Sequence, residues 1–507
     1  EWIQIDCERY EASTSYYALR ILIRWLLGVD RDADAQSVGT ALHQAAQDLS
    51  PTLLPWLPLV ANAIGAETVP TPEAEALADA FRRDRTHDTI LRLVQALMPD
   101  PVAIVFDNAQ WLDDNSRDVI LGAQTFADAL PWLICLSGQA TGHDRADSSM
   151  QIELGPLSGE DCLELARIVS ADQPLPHHRL LEAVERSGGN PIFLISLVES
   201  AMAGDELPAN VEDLINARID ALGQDERKVL RCAAVIGSRF RIELLETVIE
   251  DSATDVRDPN LWRQLDEYVV EMPNGDMVFR QNLYRDVAYL GLPHHLRRSL
   301  HLRIGTALEA TVGADAPELL ALHFALAEDH ERAWKYSRAA GDRAAANFNH
   351  VDAADLYRRA VEASRRLDSV PDRELARVYE ALGTASESAG LFDVANDAYA
   401  TARSKVPDDP IVSGRLLRRQ GLLRELGGNY SVALRWLTRG LKSLDAAAAG
   451  PEATEEVARL LLAYAGVRYR QGQYGQAIER CRAVVELPGV AAEQEAHAHY
   501  LLCLALA

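Results

Sequence analysis

Pro101-Val-Ala-Ile-Val-Phe-Asp-Asn-Ala-Gln-Trp-Leu-Asp-Asp-Asn-Ser116 carries the clearest fold signal in the chain. Its apolar run, Val102 to Phe106, leads straight into Asp107. An unbroken run of that kind reads as a strand buried on both faces, as in a parallel sheet. A carboxylate at the C-terminal end of such a strand lies where open α/β sheets bind ligands. An ordinary buried strand ending in a turn aspartate accounts for the stretch equally well, so the rest of the chain has to decide.

Around it, strand and helix patterns alternate. Trp2 to Asp6 alternates as a strand, and Tyr16 to Leu27 has helical apolar spacing that ends at Gly28, a natural C-cap. Leu53 to Ile64, apolar with two prolines, reads as a packed loop and short helix. Thr86 to Met98 reads as the helix that delivers the chain to the 102–106 strand. Ser116 to Phe126 is the next helix, with Ser116 as N-cap. Trp132 to Leu136 and Ile152 to Leu154 are further buried-strand runs, the latter followed by an N-cap at Ser158. This alternation predicts an α/β domain with a parallel sheet. At Ser187-Gly-Gly-Asn-Pro-Ile-Phe193 one helix breaks and another starts. Pro191 suits the first turn of the new helix, where its missing N–H costs nothing. The new N-terminus is either an anion site or a plain joint between helices.

Bulk properties exclude several functions. The 507 residues suggest about three or four domains. The net charge of −26 argues against nonspecific binding to nucleic acid or anionic membrane. No run of about 18 apolar residues and no signal peptide is present, so a cytoplasmic protein is expected. The six cysteines form no CxxC pair and read as reduced thiols. The chain begins directly in a strand pattern and stops inside a helical one, as a piece of a longer protein would.

Residues 206–300 read as helices followed by a hairpin, Val269 to Met272 and Met277 to Phe279, around a Pro273-Asn-Gly-Asp276 turn. That order suggests a winged helix. Its 241–256 segment is predominantly acidic, which favours a structural role over DNA binding. Arg285 to Arg303 is the basic patch, read as a solvated helix face or an interface; a metal site from His294, His295 and His301 is the lesser alternative, because adjacent side chains on a helix point apart.

From 301 the chain is all-helical and repetitive. One copy of the pattern reads Gly383, Gly390, Phe392, Ala395, Tyr399, Ala402 and Pro407, and the next Gly421, Gly428, Tyr430, Ala433, Leu437 and Gly440. A third reads Ala465, Gly472, Tyr474, Ala477 and Cys481, and a weaker first copy Gly341, His350, Ala353, Tyr357 and Ala360. Ala496 to Ala507 reads as the first helix of a further copy. These are tetratricopeptide spacings, and such stacks bind peptides or partner domains.

Taken in order, several motifs resemble one family. They are Asp6-Cys-Glu-Arg-Tyr10, Tyr16-Tyr-Ala-Leu-Arg20, Val105 to Ser116, Pro156-Leu-Ser158, Gly188-Gly-Asn-Pro-Ile-Phe193, Ala217 to Leu222, Ala233 to Phe240 and Phe279 to Tyr289. The chain resembles the AAA/STAND-type signalling ATPases with C-terminal tetratricopeptide repeats. Such modules lie behind the cyclase domain of bacterial class III adenylate/guanylate cyclases and in large LuxR-type regulators. The resemblance implies three parts: an incomplete P-loop-NTPase-like α/β domain over 1–205, a winged-helix-like domain over 206–300, and a repeat superhelix over 301–507. It implies Asp107 at the Walker B metal position, taking Mg²⁺ if a nucleotide binds, and Asn108 at the adjacent acidic position. Ser137 and Gln139 follow the next strand, Gln139 where the family has a phosphate-sensing arginine; Asn190 and Pro191 form the Gly-Asn-Pro element near the nucleotide.

The departures weigh against catalysis. Asn108 is an amide and cannot act as a general base; Gln110, Gln139 and Gln281 replace charged or proton-carrying groups. A Walker A loop needs a lysine on the phosphates, yet the first lysine is Lys228. The Gly440-Leu-Lys-Ser443 echo lies in a helical repeat. ATP and Mg²⁺ are therefore expected only if a phosphate loop lies upstream, and no residue is assigned a catalytic role. The expected function is a regulatory module following a class III cyclase domain, with a degenerate nucleotide site and a protein or peptide partner on the repeats. The alternatives are an ATP-hydrolysing switch whose phosphate loop lies upstream of Glu1, and a large LuxR-type transcriptional regulator. No membrane partner is expected, nucleic acid is disfavoured, and oligomerisation is left open.

Overall fold

The computed structural model describes residues 2–7, 12, 14–30, 33–123, 131–138, 150–203, 210–249, 254–273, 275–313, 316–445 and 450–506. The chain divides into two compact units. One comprises Glu1–Gln139, Ala316–Ala325 and Asp329–Ala507, the other Ala140–Asp315 and Leu326–Glu328.

In the first unit, β1 (Trp2–Asp6), β2 (Val102–Asp107) and β3 (Trp132–Leu136) form a parallel sheet in the order β1-β2-β3. Alternation decides what each strand buries. Ile3, Ile5, Ile104 and Phe106 enter the core under the helices Tyr17–Leu26, Ala35–Leu49, Leu57–Ile64, Asp79–Leu97 and Asp114–Gly122. Burying each such side chain contributes about 1.5–3 kcal/mol. The register sets Trp2 beside Ala103 and Leu133, and Gln4 beside Val105 and Cys135, on the opposite face. There Trp2 is 66% and Leu133 64% exposed. The expectation that 102–106 is buried on both faces is thus corrected: Val102, Ile104 and Phe106 are buried, while Ala103 and Val105 are only half so. The Ile152–Leu154 run forms no strand, and its apolar side chains are exposed, because nothing among the described residues pairs with it.

The N-cap of the Asp114–Gly122 helix is Asp113, not Ser116. Both residue types cap well. The position is settled by Asp113 also receiving N–H groups from a second element, described below.

The repeats of this unit are antiparallel helix pairs: His330–Ala346 with His350–Ser364, Asp372–Ser388 with Phe392–Lys405, Pro410–Leu426 with Tyr430–Asp445, and Pro451–Arg470 with Tyr474–Val485. Ala492–Leu506 follows, starting four residues before the expected helix. Each pair closes on a small residue facing a larger one sixteen positions later. A Cβ on Gly341 would meet the Tyr357 ring at 2.7 Å, and one on Gly421 would meet Leu437 at 3.1 Å. Gly390, Gly428 and Gly472 turn the chain between paired helices at φ 77°, 73° and 72°, a conformation that costs other residues about 1–2 kcal/mol. In the first pair that position is held by Phe348, at φ 59°.

Ion pairs join the first helices of successive pairs. Arg338 meets Glu374 at 3.0 Å, Arg415 meets Glu380 at 2.6 Å, Arg418 meets Glu456 at 2.7 Å and Arg470 meets Glu425 at 2.6 Å. Arg418 with Glu456 is well buried, so breaking it by removing one partner would leave a stranded charge.

The second unit is helical around a small antiparallel sheet of β4 (Arg239–Phe240), β5 (Val269–Glu271) and β6 (Met277–Phe279), in the order β4-β6-β5. The β5–β6 hairpin matches the expected one; Asn274 of its turn lies outside the described residues. The two-residue β4 is too short to leave a period in the sequence. Among the described residues no helix is long and apolar enough to cross a membrane.

Candidate functional site

The first half of the expected site assembles at the C-terminal end of the parallel sheet. Asp107 Oδ1 accepts the Asn108 N–H at 3.0 Å and the Ser137 hydroxyl. Ser137 N–H donates to the Phe106 carbonyl at 3.0 Å, and Ala109 N–H to the Ser137 carbonyl at 2.8 Å. Asn108 sits at φ 55°, a left-handed conformation that asparagine tolerates better than most residues. Gln110 folds over Gly138, where a Cβ would stand 2.3 Å from its Oε1. Asp107, Asn108, Gln110 and Ser137 therefore lie together. Gln139 lies outside the described residues. Asp6 was missed by the sequence reading: strand register sets it beside Asp107, and Gln4 donates to it at 2.8 Å.

These groups are bonded chiefly to one another. Asp107 Oδ1 already accepts two donors, and Asn108 brings an amide without charge. Among the described residues no group of three His, Cys, Asp or Glu side chains is placed to hold a metal ion.

The second half lies in the other unit. Asn190 Oδ1 accepts the Phe193 N–H at 3.1 Å, so its side chain caps the Pro191–Ala203 helix, with Pro191 in the first turn. The turn needs its glycines. Gly188 and Gly189 adopt φ 57° and 82°, and a Cβ on Gly189 would stand 2.6 Å from Pro156 Cβ. The capped helix borders a cavity of about 450 Å³ lined by Ile192, Ile195, Ser196, Glu199, Arg218, Glu267, Gln281 and Tyr284. Arg218 is held by Glu199 at 2.6 Å and Glu267 at 2.8 Å. Two carboxylates around one guanidinium leave a negative balance, which disfavours a phosphate.

The expected basic patch resolves differently. Arg285 is 7% exposed and donates to the Ala234 carbonyl at 3.0 Å, so it is a core group and not a solvated one. His301 is buried against Tyr289, with its Nε2 3.0 Å from the tyrosine oxygen. Burial, then the charges of Arg285 and Arg297, push its pKa down to about 4. His294 meets Glu328 instead, at 3.8 Å.

The most tightly bound polar cluster was missed by the motifs. Asp113 is wholly buried and accepts N–H groups from Tyr16 at 2.7 Å, Tyr17 at 3.0 Å and Ser116 at 2.9 Å. It thereby caps two helices, Asp114–Gly122 and Tyr17–Leu26. Burial raises its pKa, opposed by these hydrogen bonds. Next to Tyr16, Ser15 Oγ accepts a hydrogen bond at 2.9 Å from Asn349, the buried N-cap of the His350–Ser364 helix. Asn349 also donates to Asp352. Burial, then the charges on Asp113 and Asp114, push the Asp352 carboxyl up to about 7. The first repeat pair is thus bonded into the α/β layer at Ser15, next to the Tyr16 N–H that Asp113 holds. Asp113 and Asp114 are adjacent in the sequence, and the long-range partners of Asp113 are not legible there.

No family model matches the chain. No curated protein matches it. Among solved structures it is similar to a STAND protein with a tetratricopeptide repeat sensor from Pyrococcus horikoshii, at 11% identity over 100% of this chain and 82% of that one, with a TM-score of 0.35. It is similar to aspartyl phosphate phosphatase F from Bacillus subtilis at 13% identity, over 71% of this chain and 82% of that one, with a TM-score of 0.32. Yeast Tom70 is similar at 11% identity, over 93% and 96% of the two chains, with a TM-score of 0.21. None of the three bears on the chemistry of Asp107 or Asn190.

Proposed function

We propose that this chain is the regulatory region of a multidomain signalling protein. The repeats take a protein or peptide partner, the α/β layer keeps a degenerate nucleotide position, and an attached output domain of the class III cyclase kind receives the signal. The observation that carries this reading is the Asn349–Ser15 hydrogen bond. It fastens the first repeat to the loop whose next two N–H groups are held by Asp113. A shift of the repeats therefore pulls on the segment that follows Asp107. The nucleotide part rests on the uncharged amide of Asn108 beside Asp107 and on the internal bonding of Asp107.

Hydrogen exchange of the whole chain tests the coupling. Asn349→Ala is expected to speed exchange at the Tyr16 and Tyr17 amides while β2 stays protected. Unchanged protection at Tyr16 and Tyr17, with the repeats still folded, would sink the proposal.

A further inference from the structure

The arginines on the first helices of the repeats are largely matched by glutamates, as the Arg338, Arg415, Arg418 and Arg470 pairs show. One cluster on the second helices is not. On Tyr430–Asp445, Arg435, Arg439 and Lys442 follow at four- and three-residue spacing, which places them along one stripe. All three are exposed. Arg403, on the preceding second helix, reaches toward the same place: its guanidinium stands 5.5 Å from the Trp436 ring centre, and that of Arg439 stands 5.7 Å from it. Among the described residues none of the four cations forms an ion pair, and Arg403 Nη1 has no hydrogen-bond partner.

Like charges at this spacing oppose the helix that carries them. Burial, then Arg439, lowers the pKa of Arg403. Contacts with the indole offset part of this but leave the charge uncompensated. The chain as a whole carries −26, so an unneutralised cationic stripe runs against its general balance. A partner that brings carboxylates would relieve the repulsion along the exposed stripe.

We infer that Arg403, Arg435, Arg439 and Lys442, arranged around Trp436, form a docking surface for an acidic peptide segment of a partner protein. The stripe from Arg435 to Lys442 spans about 10 Å, the reach of a few residues and not of an extended phosphate track. The Trp436 ring already carries two guanidiniums, which leaves it poorly placed to stack a nucleic-acid base. The surrounding negative charge repels a long polyanion more than a short one. The surface deepens the partner-binding part of the proposed function and rests on it. Losing it while the Asn349 coupling holds would overturn this inference alone.

The test is fluorescence anisotropy on the whole chain with a labelled peptide alternating Glu and Ala. The matched Gln/Ala peptide and a thymidine oligonucleotide of equal length serve as comparisons. The Glu peptide is expected to bind, more weakly as salt rises, and the Gln peptide is not. Combining Arg403→Ala with Arg439→Ala is expected to cost at least roughly tenfold in affinity, the loss of about one charge-assisted contact. Arg403→Gln with Arg439→Gln, which keep a polar side chain without its charge, should lose binding with the circular dichroism of the native chain. Arg257→Ala, in the other unit, should not alter binding. Absence of Glu-peptide binding, binding indifferent to these substitutions, or tighter binding of the oligonucleotide through the same residues would overturn the inference. So would a dimer in sedimentation that dissolves in the Arg403/Arg439 variants, because the occupant would then be a second copy of the chain.

Discussion

A Cβ on Gly383 would stand 2.4 Å from Cε1 of Tyr399, closer than any real contact of that kind. The tyrosine cannot swing away. It is fully buried, and its hydroxyl donates to Glu387 at 2.6 Å. Gly383→Ala is therefore expected to destabilise the repeats by about 1–3 kcal/mol through overpacking, despite up to about 1 kcal/mol gained in helix propensity. Gly421→Ala, facing the more pliable Leu437 at 3.1 Å, should cost less. Urea denaturation of the two variants checks the order.

Stability should fall with pH through Asp352. Its carboxyl is raised from 3.8 to about 7 by burial and by Asp113 and Asp114. A raised acid favours the folded state below its unfolded value, and that contribution is lost as pH climbs through the folded value. At ~1.4 kcal/mol per pKa unit, the loss between about pH 4 and 7 is at most about 4 kcal/mol. Melting temperatures across that window should show the slope, and Asp352→Asn should flatten it.

Asp113→Ala should destabilise the α/β layer by about 3 kcal/mol or more. It strands three buried N–H groups, each worth about 1–3 kcal/mol when left unpaired. Asp113→Asn keeps an acceptor oxygen and should recover part of the loss. Thermal unfolding of both variants measures the difference.

Phe348→Gly should relieve the left-handed strain at φ 59° and forfeit the edge contact between the Phe348 and His350 rings, 6.2 Å apart. The two effects are of similar size, about 1 kcal/mol each, so the net stability change is expected to be small. Exchange at Asn349 should nonetheless rise, because glycine frees the joint.

These elements differ in how far the sequence revealed them. The repeats were legible because Gly383 and Tyr399, Gly421 and Leu437, and Ala465 and Cys481 recur at one spacing, and that spacing is the packing. Val102 to Asp107 was legible as a strand from its apolar run. Its one-sided burial was not, since a run of apolar residues says nothing of what covers each face. The gathering of Asp107, Asn108 and Ser137 followed from motif order. Capping preference is local and points to Ser116, whereas Asp113 is fixed as the cap by Tyr16 and Tyr17, about a hundred residues away. Asn349 left no trace for the same reason. Ile152 to Leu154 had strand composition, but a strand exists only with a neighbour to pair with.

The central claim of the proposal is that Asp107 does not serve a working nucleotide site in this chain. Calorimetric titration of the chain with Mg·ATP, beside Asp107→Ala, tests it most directly. The account predicts no saturable heat at micromolar concentrations and no phosphate release from either protein. Micromolar binding with turnover that Asp107→Ala abolishes would contradict it.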